Sequence, residues 1–156
     1  MDTNELVRRG ANAAISLQRF MLLCRCSFAR SQRGQFLHAQ QYLNRAVDVL
    51  LLLIREYDRD DRAPPPSAIT PRRRLEKINP ELARQLLAIT LHVVACPETA
   101  LMSLCEQRLR PCAPLLPWNE FTLLRQSLLY HVGETPSVSG QTHAALACRL
   151  ADSSDS

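Results

Sequence analysis

The residues of this chain that could do chemistry are first of all its six cysteines and four histidines. His92, Cys96, Cys105 and Cys112 fall within one segment, and zinc accepts one nitrogen and three sulfurs in a tetrahedral shell. If one helix continued through residue 96, His92 and Cys96 would lie one turn apart on the same face. However, no C-x-x-C pair occurs to place two thiolates on one turn, and buried cysteines usually behave as small apolar residues. We therefore predict no metal ligand and no cofactor, with zinc at these four residues as the open alternative.

Covalent catalysis would need a Ser or Cys nucleophile beside a histidine and an acid. No Gly-rich turn surrounds any Ser or Cys. The four histidines have no carboxylate at a diagnostic spacing: His38, His92, His131 and His143. The 4 glycines are scattered, so they cannot form a loop that cradles a phosphate. The sequence therefore predicts a protein that is not an enzyme and has no catalytic residue.

Arginine is the other residue type with chemical potential. The formal net charge is +4, and Lys77 is the one lysine among 19 basic residues. Such a bias is typical of GC-rich coding, and it is also compatible with contacts to phosphate or carboxylate groups. In residues 1–47, seven arginines stand against Asp2 and Glu5. An alternative function is therefore nucleic-acid binding, with affinity that falls steeply in salt, through Arg8, Arg9, Arg72, Arg73, Arg74 and Lys77.

The element expected to organise the chain is a helix over residues 34–57. Its apolar residues recur at steps of three and four along one face: Phe36, Ala39, Leu43, Ala46, Val47, Leu50, Ile54 and Tyr57. Residues 49–54 are apolar on every side, and such a helix is surrounded by protein or by membrane. Six residues cannot span a bilayer, which needs about 20. The pattern predicts the central helix of a soluble bundle, with no membrane span.

Further helices follow from apolar periodicity and from capping residues. The first begins at Asp2 or Thr3 and continues to about Ala29 or Arg30, and a short turn makes it an antiparallel neighbour of the second. Asn79 as cap and Pro80 at the first position begin another helix, expected to reach about Cys96. Two more are predicted, from Pro97 to Leu109 and from Trp118 to Gly133.

The predicted fold is an all-α bundle of about five helices, because nothing alternates with period two for the length of a strand. Residues 1–58 form an N-terminal hairpin, and residues 59–78 are a Pro/Arg-rich linker. Residues 79–133 form a C-terminal helical segment, whose three helices are expected to pack on the helix over residues 34–57. Residues 134–156, rich in Ser and Thr, are expected to be a flexible, disordered tail.

One short string resembles a known family. Gly34-x-Phe36-x-x-Ala39-x-x-Tyr42-Leu43-x-x-Ala46 is similar to the second helix of a tetratricopeptide-type hairpin. In that family small residues let two helices approach closely. The resemblance covers residues 34–46, and no second copy of the repeat occurs. It implies a helical hairpin with that style of packing.

The function expected from these features is protein binding. Three apolar features exceed what one small bundle covers: residues 49–54, residues 115–118, and a second, thinner stripe on the first helix. That stripe consists of Ala11, Ile15, Leu22 and Ala29. We predict a non-enzymatic interaction module, an adaptor or a regulatory or viral accessory protein, that binds another protein or a second copy of itself. The predicted interface residues are Val49, Leu50, Leu53, Ile54 and Trp118. Because residues 1–5 are polar and acidic rather than leader-like, we expect a cytoplasmic or nuclear location.

Overall fold

The computed structural model describes residues 2–57, 72, 75–91 and 94–134. Within these ranges the secondary structure is helical, with no strand, so the predicted all-α class is confirmed. The helices are α1 (Thr3–Gln32), α2 (Phe36–Tyr57), α3 (Leu75–Ile78), α4 (Pro80–Thr90), α5 (Pro97–Leu109) and α6 (Trp118–Glu134). The short helix α3 lies inside the segment predicted as a linker. Most of that linker, and all but the first residue of the predicted tail, lie outside the described residues.

The turn between α1 and α2 is set by a glycine. Gly34 has φ +72°, a left-handed conformation that glycine adopts without steric cost. The Gln35 amide donates to Arg30 O at 2.9 Å and the Gly34 amide donates to Ser31 O at 3.0 Å. This pair of bonds is the Schellman motif, which satisfies the last carbonyls of a helix. The chain reverses within three residues, so α1 and α2 form the expected antiparallel hairpin.

The hairpin forms the larger part of the core. Its inner side is lined by fully buried apolar side chains of both helices: Leu17, Phe20, Cys24, Leu43, Ala46 and Leu50. The small side chain of Ala39 lets α1 approach closely enough for Ser27 Oγ to lie 3.0 Å from Ala39 O. The helices therefore meet through a continuous apolar seam.

Helix α4 begins as predicted but ends earlier. Asn79 Oδ1 accepts a hydrogen bond from the Leu82 amide at 3.0 Å, and Pro80 follows as the first helical residue. The helix stops at Thr90 instead of continuing to about Cys96. Leu91 is its C-cap, and Pro97, further along the chain, disfavours helical backbone in the residue before it. Cys96 accordingly has an extended backbone, with φ −134° and ψ 96°, and occupies the N-cap position of α5.

Helix α5 lies at the centre of the C-terminal half. It contacts α1, α2, α4 and α6, whereas α2 and α6 do not touch within the described residues. The prediction that all three C-terminal helices pack on α2 is therefore wrong for α6. That helix rests on α1 and α5, with the Phe121 ring stacked on Phe20 at 6.2 Å between centroids. Glu106 of α5 also forms an ion pair with Arg125 of α6, which joins α5 and α6.

Candidate functional site

The five residues predicted as an interface belong to the core of the chain itself. Val49, Leu50, Leu53, Ile54 and Trp118 are each at most 9% exposed. The indole Nε1 of Trp118 donates to Ala113 O at 2.9 Å, so its polar atom is also satisfied internally. A partner cannot contact these side chains while the fold is intact, and the prediction is corrected: α2 packs against α1, α4 and α5, and Trp118 packs against Phe121. Leu52, at 54% exposed, is the one member of residues 49–54 that faces solvent.

An apolar surface remains on the opposite side of α1. The four residues of the thinner stripe, Ala11, Ile15, Leu22 and Ala29, are all exposed, Ile15 at 64% and Leu22 at 58%. Their spacing of four and seven residues places them on one line along the helix. We call these four residues the outer stripe. It extends for about 27 Å along α1 at the usual rise of about 1.5 Å per residue.

Arginines border the outer stripe. Arg8, Arg19, Arg25 and Arg33 are exposed, and helical periodicity puts them on the same side of α1 as the stripe. None of the four forms an ion pair within the described residues. The chain also contains no Asp or Glu from residue 6 to residue 47. This side of the hairpin is therefore apolar along its middle and positively charged along its borders.

A small cleft opens near the turn of the hairpin. It has a volume of about 250 Å³ and is lined by Arg30 of α1 and by His38, Gln41, Tyr42 and Arg45 of α2. Arg30 Nη1 donates to Gln35 Oε1 at 2.7 Å, a neutral partner that leaves the guanidinium charge uncompensated. No carboxylate lines the cleft. We call these five residues the basic cleft. In the sequence, its two arginines contributed only to the count of positive charges in residues 1–47, so the cleft itself was not predicted.

The arginines predicted to bind nucleic acid do not form one free surface in the described part of the chain. Arg9 pairs with Glu5 one turn before it. Arg72 Nε lies 2.7 Å from Asp48 Oδ1, so this guanidinium is paired with a carboxylate of α2. Of the other four, Arg8 and Lys77 are exposed, and Arg73 and Arg74 lie outside the described residues. Two of the six charges are thus balanced by carboxylates of the chain.

The structure does not support the geometric argument for zinc binding at His92, Cys96, Cys105 and Cys112. His92 lies outside the described residues, and the predicted helix that was to align it with Cys96 has ended by Thr90. Cys105 is fully buried whereas Cys112 is exposed. Within the described residues no group of three or more His, Cys, Asp or Glu side chains is arranged to hold a metal ion.

The buried thiols are also poor nucleophiles, since the thiolate is the reactive form. Burial raises the pKa of the Cys24 thiol well above its ordinary value, and Cys105, Glu98 and Cys96 nearby raise it further. Burial likewise raises the pKa of Cys105, with Glu106 adding to the effect. These groups stay protonated and apolar near neutral pH.

A buried polar contact joins three helices beside these thiols. Ser27 Oγ of α1 lies 2.6 Å from Glu98 Oε1 of α5 and within hydrogen-bonding distance of Ala39 O of α2. Cys96 Sγ donates to Glu98 Oε2 at 3.6 Å. Glu98 is in the first turn of α5, where a carboxylate suits the helix dipole, and that position was its only sequence signal. The contact fixes how the hairpin, with its outer stripe and basic cleft, sits on α5.

None of the helices in the described ranges combines the length and the hydrophobicity needed to cross a lipid bilayer.

Comparison with family models, with characterised proteins and with solved structures gave no match to this chain.

Proposed function

We propose that this chain is a non-enzymatic protein–protein interaction module that binds an acidic amphipathic helix of a partner protein along the outer stripe of α1. The observation behind the proposal is an exposed apolar line, Ala11, Ile15, Leu22 and Ala29, on the side of α1 that faces away from the core. Amphipathic helices also present apolar residues at steps of four and seven. A helix laid along α1 would match the stripe over about 27 Å.

The charge borders indicate that the partner is acidic. Arg8, Arg19, Arg25 and Arg33 lack carboxylate partners within the described residues. Arginine binds carboxylates through two parallel hydrogen bonds, which adds geometric specificity to the charge attraction. A second copy of the chain fits less well, because a two-fold contact through this face would bring arginines against arginines.

The apolar part supplies affinity, and the arginines supply orientation and rate of encounter. Burying a side chain such as Ile15 or Leu22 in an interface contributes about 1.5–3 kcal/mol. Exposed ion pairs contribute about 0–1 kcal/mol each and weaken with salt. Binding should therefore survive physiological salt and fail when the stripe is made polar.

Nucleic-acid binding is the second candidate, favoured by the same four exposed arginines. Phosphate contacts would use the guanidinium groups and would not need Ile15 or Leu22. Their affinity would fall steeply with salt, because neutralised phosphates release counterions. The two functions thus differ in which residues they require and in their dependence on salt.

The test uses the full chain and a fluorescent peptide helix with a leucine face and glutamate borders, against a scrambled peptide of equal composition. We expect Leu22→Asp to weaken binding at least about tenfold, as expected for loss of a buried anchor. Leu87→Asp on α4 is the matched control, because Leu87 is 57% exposed and lies off the stripe. Circular dichroism confirms that both variants fold.

Two outcomes would overturn the proposal. In one, both variants bind the peptide as well as the wild type does, so the stripe is not the contact. In the other, the wild type ignores the peptide but binds duplex or single-stranded nucleic acid with a steep salt slope, and the uncharged substitution Leu22→Gln leaves that binding unchanged. The second result would replace the protein partner by a phosphate backbone.

A further inference from the structure

The basic cleft is a second feature of the hairpin, independent of the outer stripe. We infer that it binds the terminal phosphate of a phosphomonoester. Arg30 of α1 and Arg45 of α2 both line it, so two arginine side chains from different helices share one concave site. A phosphomonoester has three terminal oxygens, which two arginines can bind together through several charge-assisted hydrogen bonds.

The two arginines keep their charge available for a ligand. Arg45 forms no ion pair within the described residues. Arg30 donates one hydrogen bond to the neutral amide of Gln35, and a guanidinium group has five N–H donors in all. Two like charges on the walls of one cleft repel each other when it is empty, and an anion between them removes that repulsion.

The surroundings reinforce the preference for an anion. The C-terminus of α1 and the N-terminus of α2 meet at this end of the hairpin, and their dipoles carry opposite signs there. The local field therefore comes from side chains. No Asp or Glu occurs from residue 6 to residue 47, whereas Arg33, one residue before Gly34, adds positive charge at the turn. The cleft is thus lined without a carboxylate, and Asp48, three residues after Arg45 on α2, is paired with Arg72.

Size and lining narrow the class of ligand. At about 250 Å³ the cleft is smaller than the about 300–1,000 Å³ of ordinary small-molecule sites. It suits a phosphate group with a short attachment rather than a whole nucleotide cofactor. The Tyr42 hydroxyl and the Gln41 amide are further donors in the lining. A monoester places its terminal phosphate in such a cleft, whereas a nucleic-acid strand presents singly charged diester groups along a line.

The test is a titration of the full-length, isotope-labelled protein with O-phosphoserine, at constant ionic strength, followed by amide NMR. We expect saturable shifts concentrated in residues 35–45. Arg45→Gln should weaken binding at least about tenfold, the size expected when a hydrogen bond to a charged group is lost. The matched control is Arg84→Gln, which removes the same charge from an arginine that is exposed on α4 and paired with Glu81. It should bind like the wild type.

Titrations with other ligands identify which kind of molecule carries the phosphate. A phosphoserine peptide that binds more tightly than O-phosphoserine indicates a phosphorylated protein, and equal affinity indicates a small phosphomonoester; both support the assignment. Non-saturable shifts in the wild type, or equal binding by Arg45→Gln and Arg84→Gln, would overturn it. Tighter, Arg45-dependent binding of a short oligonucleotide would overturn the monoester assignment in favour of a strand. Because the outer stripe is unaltered in these variants, failure here leaves the proposal for the peptide helix intact.

Discussion

The two faces of α1 carry similar apolar residues with different consequences. On the inner face, Leu17, Phe20 and Cys24 have no exposed surface and form the seam with α2, α5 and α6. On the outer face, Ile15 and Leu22 are more than half exposed, although they lie within nine residues of those core positions. Helix α1 therefore carries two apolar stripes, of which its own fold buries one. The inner stripe stabilises the folded chain, and the outer stripe stays exposed to solvent.

The largest effect should come from placing a charge in the inner region. Leu50→Asp would bury an unpaired carboxylate at a fully buried position, so we expect a loss of stability of at least about 4 kcal/mol and an unfolded or molten chain. The matched control is Leu52→Asp, two residues along α2, where the side chain is 54% exposed. Urea unfolding followed by circular dichroism measures both. If Leu50→Asp kept the wild-type midpoint, the packing of α2 against α1 and α5 would be wrong.

The next effect should appear at alkaline pH. Burial raises the pKa of Cys24, Cys96 and Cys105, so the unfolded chain releases these protons before the folded chain does. Their contribution is fully present below the unfolded value of about 8.5 and is lost as pH rises towards the folded values. At about pH 9.5 each thiol can cost up to about 1.4 kcal/mol.

The thiol contribution can be isolated by substitution. Cys105→Ala should flatten the fall of the urea midpoint between neutral and alkaline pH, because the unfolded chain then has one less thiol to ionise. Ser103→Ala, at an exposed position of the same helix, removes no thiol and should leave the slope as in the wild type. An identical slope in all three proteins would mean that Cys105 is not protected by the core.

A smaller effect should follow from cutting the contact between α1 and α5. Ser27→Ala leaves the Glu98 carboxyl buried without its 2.6 Å partner, so we expect a loss of about 1–3 kcal/mol. Ser103→Ala, at an exposed position of α5, is the control and should change little. A double-mutant cycle with Glu98→Ala measures the coupling between the two side chains. Additive effects would show that Ser27 and Glu98 are neighbours without an energetic link.

These contrasts also separate what the sequence could predict from what it could not. Helices α1, α2, α5 and α6 followed from apolar periodicity and capping residues, which act locally. The end of α4 was misplaced because apolar residues continue beyond Thr90, so periodicity carries no signal that the helix stops there. The docking of α6 on α1 was missed because periodicity tells which face of a helix is apolar, not which helix will cover it.

The same limit applies to the candidate sites. Residues 49–54 were expected to provide surface, but five of the six are buried where α2 packs against α1, α4 and α5, and the contacts with α4 and α5 join segments far apart in the chain. The Ser27–Glu98 contact spans 71 residues, and neither residue type indicates a partner. The outer stripe was visible in the sequence as a pattern, while its exposure depended on where every other helix packed. The basic cleft needed the turn at Gly34 to bring Arg30 and Arg45 to one place.

The smallest effect on stability should come from a substitution in the outer stripe. It tests most directly whether the inner and outer faces of α1 differ in their contribution to folding. Leu22→Asp removes an apolar side chain that is already 58% exposed, so little burial is lost. Aspartate lowers helix propensity by at most about 0.7 kcal/mol. Arg19 and Arg25, three residues to either side, can each return about 0.2–0.5 kcal/mol as helix ion pairs.

The net change in the free energy of unfolding for Leu22→Asp should therefore stay within about 0.5 kcal/mol, as for most surface substitutions. Leu17→Asp, one turn and a half away on the inner face, serves as the contrasting variant and should unfold the chain. A loss of several kcal/mol at Leu22 would mean that the outer stripe is part of the folding core. A folded protein with wild-type stability would establish that this apolar line does nothing for the monomer, which is the condition for using it to bind something else.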